Sequence, residues 1–224
     1  MCFDAKTSFT TGTLTIITSL ILMRYGNPAH RISNQQVGYL FIYIALVQYL
    51  EGFMWLDQSC RLDLNRITTC LMPYIIYLQP TLVYLLGHDR TPMTNLVNLL
   101  YVGLVFLVVT TTKLGKCSVP NLLGHLNWNQ VLSEKTLLVI PYLLLLNFNL
   151  WSGISAPISK YLILMLNLSL LISYLFFQYN TGEMWCYLSC CLPLILYFIT
   201  RKRSTVPLDL SPRRSNGDPI SPVN

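Results

Sequence analysis

Residues 36–56 read "QVGYLFIYIALVQYLEGFMWL", an apolar run that is long enough to cross a lipid bilayer. A spanning helix needs about 20 predominantly apolar residues. One carboxylate, Glu51, interrupts this run near its carboxyl end. The stretch therefore predicts a membrane-spanning helix that carries one ionisable side chain.

The composition of the whole chain agrees with a membrane environment. Its 224 residues are 53% hydrophobic and only 11% charged, whereas soluble domains carry about 25% charge. The net charge of +6 comes from basic residues that flank apolar segments and crowd the tail. Basic residues in such positions are typical of the loops that orient a membrane protein in the bilayer, and this argues against nucleic-acid binding. The predicted partner is the lipid bilayer, and no nucleic-acid partner is expected.

Seven stretches of suitable length predict an all-α bundle of seven transmembrane helices within residues 1–200. The four prolines inside these stretches, at positions 73, 80, 141 and 193, predict kinks. Residues 201–224 are basic and rich in proline and serine, which is typical of a disordered tail. The predicted spans cover roughly residues 8–24, 36–56, 67–87, 92–112, 135–151, 158–179 and 184–200.

The distribution of basic residues predicts the orientation. With seven spans, nine of the fifteen lysines and arginines lie on the side of the carboxyl terminus, and "RKR" at 201–203 is the densest group. Cytoplasmic loops carry an excess of Lys and Arg. The tail is therefore expected to be cytoplasmic and the amino terminus outside or lumenal, in a plasma membrane or an endomembrane.

Polar residues at helical spacing mark a candidate site near the outer end of the bundle. Gln48, Glu51 and Trp55 share one face of the second span, and Ser8 and Thr11 begin a hydroxyl stripe on the first. A carboxylate inside a membrane can bind a proton or a cation. Two alternatives stay open: Glu51 is simply solvated near the helix end, and the hydroxyls bond to their own helix backbone.

Cysteine and histidine positions limit the chemistry. Cys60 and Cys117 are both expected outside, which makes them a candidate disulfide, although a count of seven cysteines leaves at least one unpaired in this way. His125 falls on the opposite side from His30 and His88, so the three cannot form one zinc site. No sequence motif for a metal, a nucleotide or another cofactor is present, so neither a metal nor a cofactor is expected.

Several strings resemble one family. The opening "MCFDAKTSFTTG" is similar to the start of a family of mostly bacterial seven-span membrane proteins that begin Met-Cys-Phe-Ser-Ala, followed by Ser-Phe. The resemblance continues over nearly all of residues 1–200, in "QYLEGFMW" (48–55), Gln79-Pro80, "GHLNW" (124–128) and "MWCYLSC" (184–190). Asp4 departs from it, because the family has serine there.

The resemblance implies the seven-span architecture and brings no activity with it. It does single out positions that the predicted topology places towards the outer face. These positions are Cys2, Phe3, Ser8, Phe9, Gln48, Glu51, Trp55, His125, Trp185 and Cys186. They predict an outer cluster around Glu51.

Three functions fit these features. The first is binding or transport of a small molecule or an ion through an outer polar cavity centred on Glu51. The second is an enzyme acting on lipid, with Glu51 as base or metal ligand, His125 assisting, and Cys2 or Cys186 as a nucleophile or redox pair. The third is a structural or scaffolding membrane protein in which Cys2 and Cys186 form a disulfide and Glu51 pairs with an amide or with the backbone. The identity of the ligand and the oligomeric state do not follow from the sequence.

Overall fold

The computed structural model describes residues 4–87, 90–111, 117–120, 126, 136–177 and 181–201, and this part of the chain is helical without a regular strand. A 3₁₀ turn, Pro28–His30, joins the first two α-helices, and Pro120 forms an isolated β-bridge with Leu126. The helices are α1 (Ala5–Tyr25), α2 (Arg31–Leu56), α3 (Leu64–Tyr77), α4 (Gln79–Leu86), α5 (Pro92–Thr111), α6 (Thr136–Gly153), α7 (Ile158–Phe176), α8 (Thr181–Ser189) and α9 (Leu192–Thr200).

Each of the seven predicted segments contains a helix or a pair of helices, but the number of spans needs correction. By length and apolar composition, three helical stretches can cross a membrane: Pro28–Leu56, α5 and α7. The pair α3 and α4 adds a fourth if it is counted as one bent span. The apolar parts of α6 and of α8–α9 are shorter, and α1 is rich in threonine and serine, which lowers its hydropathy.

Asp4 begins α1 as its N-cap. Its carboxylate accepts a hydrogen bond of 2.6 Å from the backbone N–H of Thr7, one of the donors that a helix start leaves unpaired. This hydrogen bond lowers the pKa of Asp4 below its ordinary value.

Helix α2 forms the centre of the bundle, because it contacts α1, α3, α4, α8 and α9. Its inward side chains Val37, Leu40 and Phe41 are almost fully buried. They join one continuous apolar core that reaches from Leu22 of α1 to Leu196 of α9. Polar side chains of α2 that point into the bundle therefore face other helices.

Two of the four prolines that predicted kinks lie where one helix ends and the next begins. Helices α3 and α4 meet at an angle of 46°, next to Pro80, which has no N–H to continue the helical ladder. Pro193 stands in the first turn of α9, directly after the break from α8. Pro73 and Pro141 lie inside continuous helices.

The outer surface of the bundle is apolar. On α5, Leu99 is 69% exposed and Leu107 is 62% exposed. On α7, Leu164 and Leu175 are exposed to a similar extent. Soluble proteins rarely expose continuous apolar surfaces of this kind. The exterior is that of a protein surrounded by lipid, in agreement with the membrane location expected from composition.

Candidate functional site

Glu51 and Gln48 are both completely buried, with no exposed surface. Helix α1 covers this part of α2 closely. A Cβ atom at Gly52 would lie 2.7 Å from the ring of Phe9, and one at Gly12 would lie 3.3 Å from the Cβ of Gln48. These two glycines let the helices approach each other, as small residues do between membrane helices. The carboxylate of Glu51 is thus enclosed by protein. It is not exposed to water near the end of the helix, as one of the alternatives held.

The hydroxyl stripe of α1 faces α2 and bonds to its own backbone. Ser8, Thr15 and Ser19 are fully buried, and Thr11 is half-buried. The Ser8 hydroxyl donates to the carbonyl of Asp4, and the Thr15 hydroxyl donates to the carbonyl of Thr11 at 2.8 Å. Back-bonded hydroxyls of this kind allow close helix packing. The stripe therefore serves the α1–α2 contact.

A third element reaches the same region from the end of the chain. Cys190, at the junction of α8 and α9, is buried; both of these helices pack against α2, and α9 also packs against α1. Cys190 also donates to the carbonyl of Cys186 at 3.2 Å. Helices α1, α2, α8 and α9 therefore come together in this part of the bundle.

Trp55 and Leu126 belong to the layer above Glu51. Leu126, from the long connection between α5 and α6, is completely buried in a cluster with Val47, Met54 and Cys186. Trp55 packs against that cluster, and its indole Nε1 is buried with no hydrogen-bond partner within the described part of the chain. The connection thus inserts an apolar side chain between α2, α3 and α8.

Asn65 and a disulfide hold this connection in place. The Asn65 amide nitrogen donates to the carbonyls of Met54 and Ser118, at 3.1 and 2.9 Å, and its oxygen accepts from the Ser118 N–H at 2.9 Å. Cys60 and Cys117 are joined by a disulfide across a sequence separation of 57 residues. This is the pair that the sequence offered as a candidate.

Asp57 closes the loop that carries Cys60. Its carboxylate is 3% exposed and accepts hydrogen bonds from backbone N–H groups of the following loop and of the first turns of α3, at 3.0–3.3 Å. The donors are Arg61, Leu62, Leu64 and Asn65. A charged acceptor shared by several backbone donors forms strong hydrogen bonds. Asp57 is therefore a structural carboxylate.

A small cavity lies deeper along the same face of α2. Ile44 and Leu40, two turns and three turns below Glu51, line it together with Leu146, Leu166 and side chains of α4 and α8; the polar and aromatic members are Gln79, Trp185, Cys186 and Ser189. The cavity leaves about 10 Å³ for the centre of a water-sized molecule, which is close to the minimum that one water needs. The sequence predicted a polar cavity centred on Glu51 itself, and this cavity lies two to three helical turns away from it.

Gln79 is the polar centre of this cavity. It is 4% exposed, and its carbonyl oxygen accepts a hydrogen bond of 2.7 Å from the hydroxyl of Tyr142. Its amide nitrogen is buried and has no hydrogen-bond partner among the described residues. Trp185 completes the wall, with its indole nitrogen donating to the carbonyl of Leu166 at 3.0 Å and its ring perpendicular to that of Tyr142. An unpaired buried donor beside a water-sized space fits one bound water.

Removing the Tyr142 hydroxyl should destabilise the protein. The substitution Tyr142→Phe leaves the Gln79 carbonyl without its donor, and we expect a loss of about 0.5–2 kcal/mol in the free energy of unfolding. Unfolding in mixed micelles of mild detergent and dodecyl sulfate measures this loss. In the double variant Gln79→Leu/Tyr142→Phe the losses should not add, because neither group is then left unpaired. Strict additivity would contradict the hydrogen bond.

Further buried polar side chains continue towards the other end of the bundle. The Asn149 amide donates to the carbonyl of Pro80 at 2.9 Å and to the side-chain oxygen of Asn98 at 3.0 Å. Asn149 thus bonds to the backbone carbonyl of Pro80, the residue beside the kink. The two asparagines thus connect α4, α5 and α6. Gln79 and Tyr142 were not predicted as a pair, because no local pattern signals a contact between residues 63 positions apart.

The predicted site residues thus separate into several groups. Glu51, Gln48, Ser8 and Thr11 meet at the α1–α2 contact, Trp55 packs in the layer above, and Trp185 and Cys186 line the cavity. Cys2 and His125 lie outside the described residues, so the Cys2–Cys186 pairing and the assistance of His125 stay predictions. Comparison of the chain with models of protein families, with curated proteins and with solved structures finds no match.

Proposed function

We propose that this membrane protein binds and transfers a proton at Glu51, as an ion-binding or transport protein. The observation that carries the proposal is the complete burial of Glu51 and Gln48 on the α2 face that continues, through Ile44 and Leu40, into the cavity at Gln79. Ionisable residues inside membrane domains are costly, and they commonly mark proton and ion pathways. Glu51 is the proton-binding group, and the Gln79 cavity is the next polar position along the route.

The size of the cavity favours a proton over a larger cargo. The space beside Gln79 accepts about one water, and a hydrogen-bonded water can pass a proton without opening the bundle. A lipid substrate needs a cleft that opens to the bilayer, whereas Glu51 is completely buried and α1 packs closely over this part of α2. The burial of Glu51 therefore supports a role in proton transfer better than a role in modifying lipids. If no proton transfer is measured, the structural role is the one that is left.

Proton flux into proteoliposomes tests the proposal. The purified chain is reconstituted into vesicles that contain a pH-sensitive dye, and a potassium diffusion potential set with valinomycin drives protons inward. We expect the lumen to acidify faster than in protein-free vesicles prepared in the same way. Equal rates in the two preparations, with the protein shown to be folded and inserted, would overturn the proposal.

We further propose that all seven helical segments cross the bilayer, with the amino terminus outside. Helix α1 has 21 residues, and its low hydropathy comes from hydroxyls that bond to their own backbone, such as Thr15 to Thr11 and Ser19 to Thr15. A hydroxyl paired in this way costs less to bury in lipid. The bent pair α3–α4 and the consecutive helices α8 and α9 each supply one span.

Topology mapping tests the seven-span proposal. A cysteine in place of Gln58, in the exposed loop after α2, should react with a membrane-impermeant maleimide in intact cells, in a background without the accessible native thiol Cys191. A cysteine in place of Arg90, at the other end of the bundle, should react only after the membrane is opened. The reverse pattern would invert the orientation, and equal labelling of both in intact cells would contradict the number of spans between them.

A further inference from the structure

A polar recess opens at the end of the bundle opposite to Glu51. It lies between the last turn of α1 and the first turn of α2 and has a volume of about 310 Å³. This volume is within the range of small-molecule sites. The lining residues are Met23, Arg24, Gly26, Pro28, Arg31, Asn34 and Gln35. The recess is separate from the Gln79 cavity, since no residue lines both.

The charge in the recess is entirely positive. Its two charged side chains are Arg24 and Arg31, and none of its lining residues is acidic. Both arginines are exposed, so their guanidinium groups are accessible to a ligand. A guanidinium presents a planar set of donors that matches the oxygens of a phosphate. The lining therefore points to a phosphate group.

Asn34 adds an independent polar signal. It is only 2% exposed, and its amide nitrogen donates to the carbonyl of Asn27 at 3.1 Å. Its side-chain oxygen is buried and has no hydrogen-bond partner within the described ranges. Gly26 lets the turn lie close to the Asn34 side chain, because a Cβ atom at position 26 would lie 2.5 Å from the Asn34 amide nitrogen. This oxygen needs a hydrogen-bond donor. A phosphodiester has none, whereas a hydroxyl group next to the phosphodiester in the same ligand supplies one.

The surroundings place the recess at the level of lipid headgroups. Tyr25 and Ile32, on either side of the turn, are 67% and 57% exposed. The Asn27 side chain donates to the carbonyl of Thr200, which ties the turn to the end of α9, and Arg201 stacks on the ring of Tyr197. Aromatic and basic side chains together are typical of the membrane–water interface.

We infer that this recess binds the headgroup of an anionic phospholipid of the phosphatidylglycerol class. The phosphate lies between the guanidinium groups of Arg24 and Arg31, and a glycerol hydroxyl donates to the side-chain oxygen of Asn34. Basic pockets between membrane helices bind anionic headgroups in this manner. The inference does not depend on proton transfer at Glu51, because the two sites share no residue.

Native mass spectrometry of the full chain tests the inference. Delipidated protein is titrated with phosphatidylglycerol and, separately, with phosphatidylcholine, which has no hydroxyl donor in its headgroup. We expect preferential retention of phosphatidylglycerol, and at least about tenfold weaker binding in the double variant Arg24→Gln/Arg31→Gln, equivalent to about 1.4 kcal/mol. Arg66→Gln/Arg90→Gln removes two exposed charges outside the recess and should bind as the wild type does. The substitution Asn34→Leu should remove the preference between the two lipids.

Three results would overturn the inference. One is equal retention of phosphatidylglycerol by Arg24→Gln/Arg31→Gln and by the wild type. Another is equal weakening in the control pair, since that would indicate a general effect of charge. The third is displacement of the lipid by inorganic phosphate at an equal concentration, which would identify a site for free phosphate. Circular dichroism of each variant verifies that its helices are intact.

Discussion

The substitution Glu51→Gln should lower proton flux in proteoliposomes by about 10²-fold, the lower end of what a positioned proton-transfer group contributes. Glutamine has nearly the same shape as glutamate and keeps two polar atoms in the buried space beside Gln48. It cannot take up and release a proton at ordinary pH. Loss of flux without loss of folding is therefore the expected signature, and dye-reported acidification measures it.

A matched substitution separates this effect from a general loss of negative charge. Asp63 lies in the loop before α3, is exposed, and forms an ion pair of 3.7 Å with Arg66. The substitution Asp63→Asn also converts a carboxylate to an amide, and asparagine tolerates the positive φ of 54° at this position. Its flux should equal that of the wild type. Wild-type flux in Glu51→Gln would eliminate Glu51 as the proton-binding group.

The substitution Asp57→Ala should destabilise the protein by about 3 kcal/mol, since hydrogen bonds to a charged acceptor are worth more than neutral ones and their loss leaves buried donors unpaired. Backbone N–H groups from Arg61 to Asn65 lose their shared acceptor at once. The adjacent Asn65 also holds Ser118, so the connection that carries Leu126 should loosen with the loop. Unfolding in mixed micelles measures the loss of stability.

The control for Asp57 is again Asp63→Asn, six residues further along the same loop. An exposed ion pair contributes little, so this substitution should change stability by less than about 1 kcal/mol. The substitution Asp57→Asn should have an intermediate effect, because its amide oxygen still accepts while its nitrogen cannot. A loss no larger for Asp57→Ala than for Asp63→Asn would show that the carboxylate does not hold the loop.

The positions of most helices could be predicted from the sequence because these helices are apolar runs. An apolar run can be recognised from consecutive residues alone, without knowledge of tertiary contacts. The break beside Pro80 could be predicted for the same local reason. Pro73 does not end its helix, because α3 continues through it. The seven predicted spans exceed the three or four that length and apolar composition support in the described residues, because α1 is rich in threonine and serine and the apolar parts of α6 and of α8–α9 are shorter.

Part of the candidate site could be predicted and part could not. Helical spacing placed Gln48 and Glu51 on one face, and both are buried there. The pairing of Gln79 with Tyr142, the insertion of Leu126 and the loop-closing role of Asp57 depend on tertiary contacts. Sequence periodicity describes one helix at a time, so it cannot show which side chain of another helix or loop meets it.

The most direct measurement of the central claim is the protonation change of Glu51 itself. Infrared difference spectra of the purified protein, recorded while the pH is lowered, report the C=O stretching band of carboxyl groups as they become protonated. We predict a band that is present in the wild type and in Asp63→Asn but missing in Glu51→Gln. Identical difference spectra for the wild type and Glu51→Gln would mean that Glu51 exchanges no proton, and would contradict the proposed function.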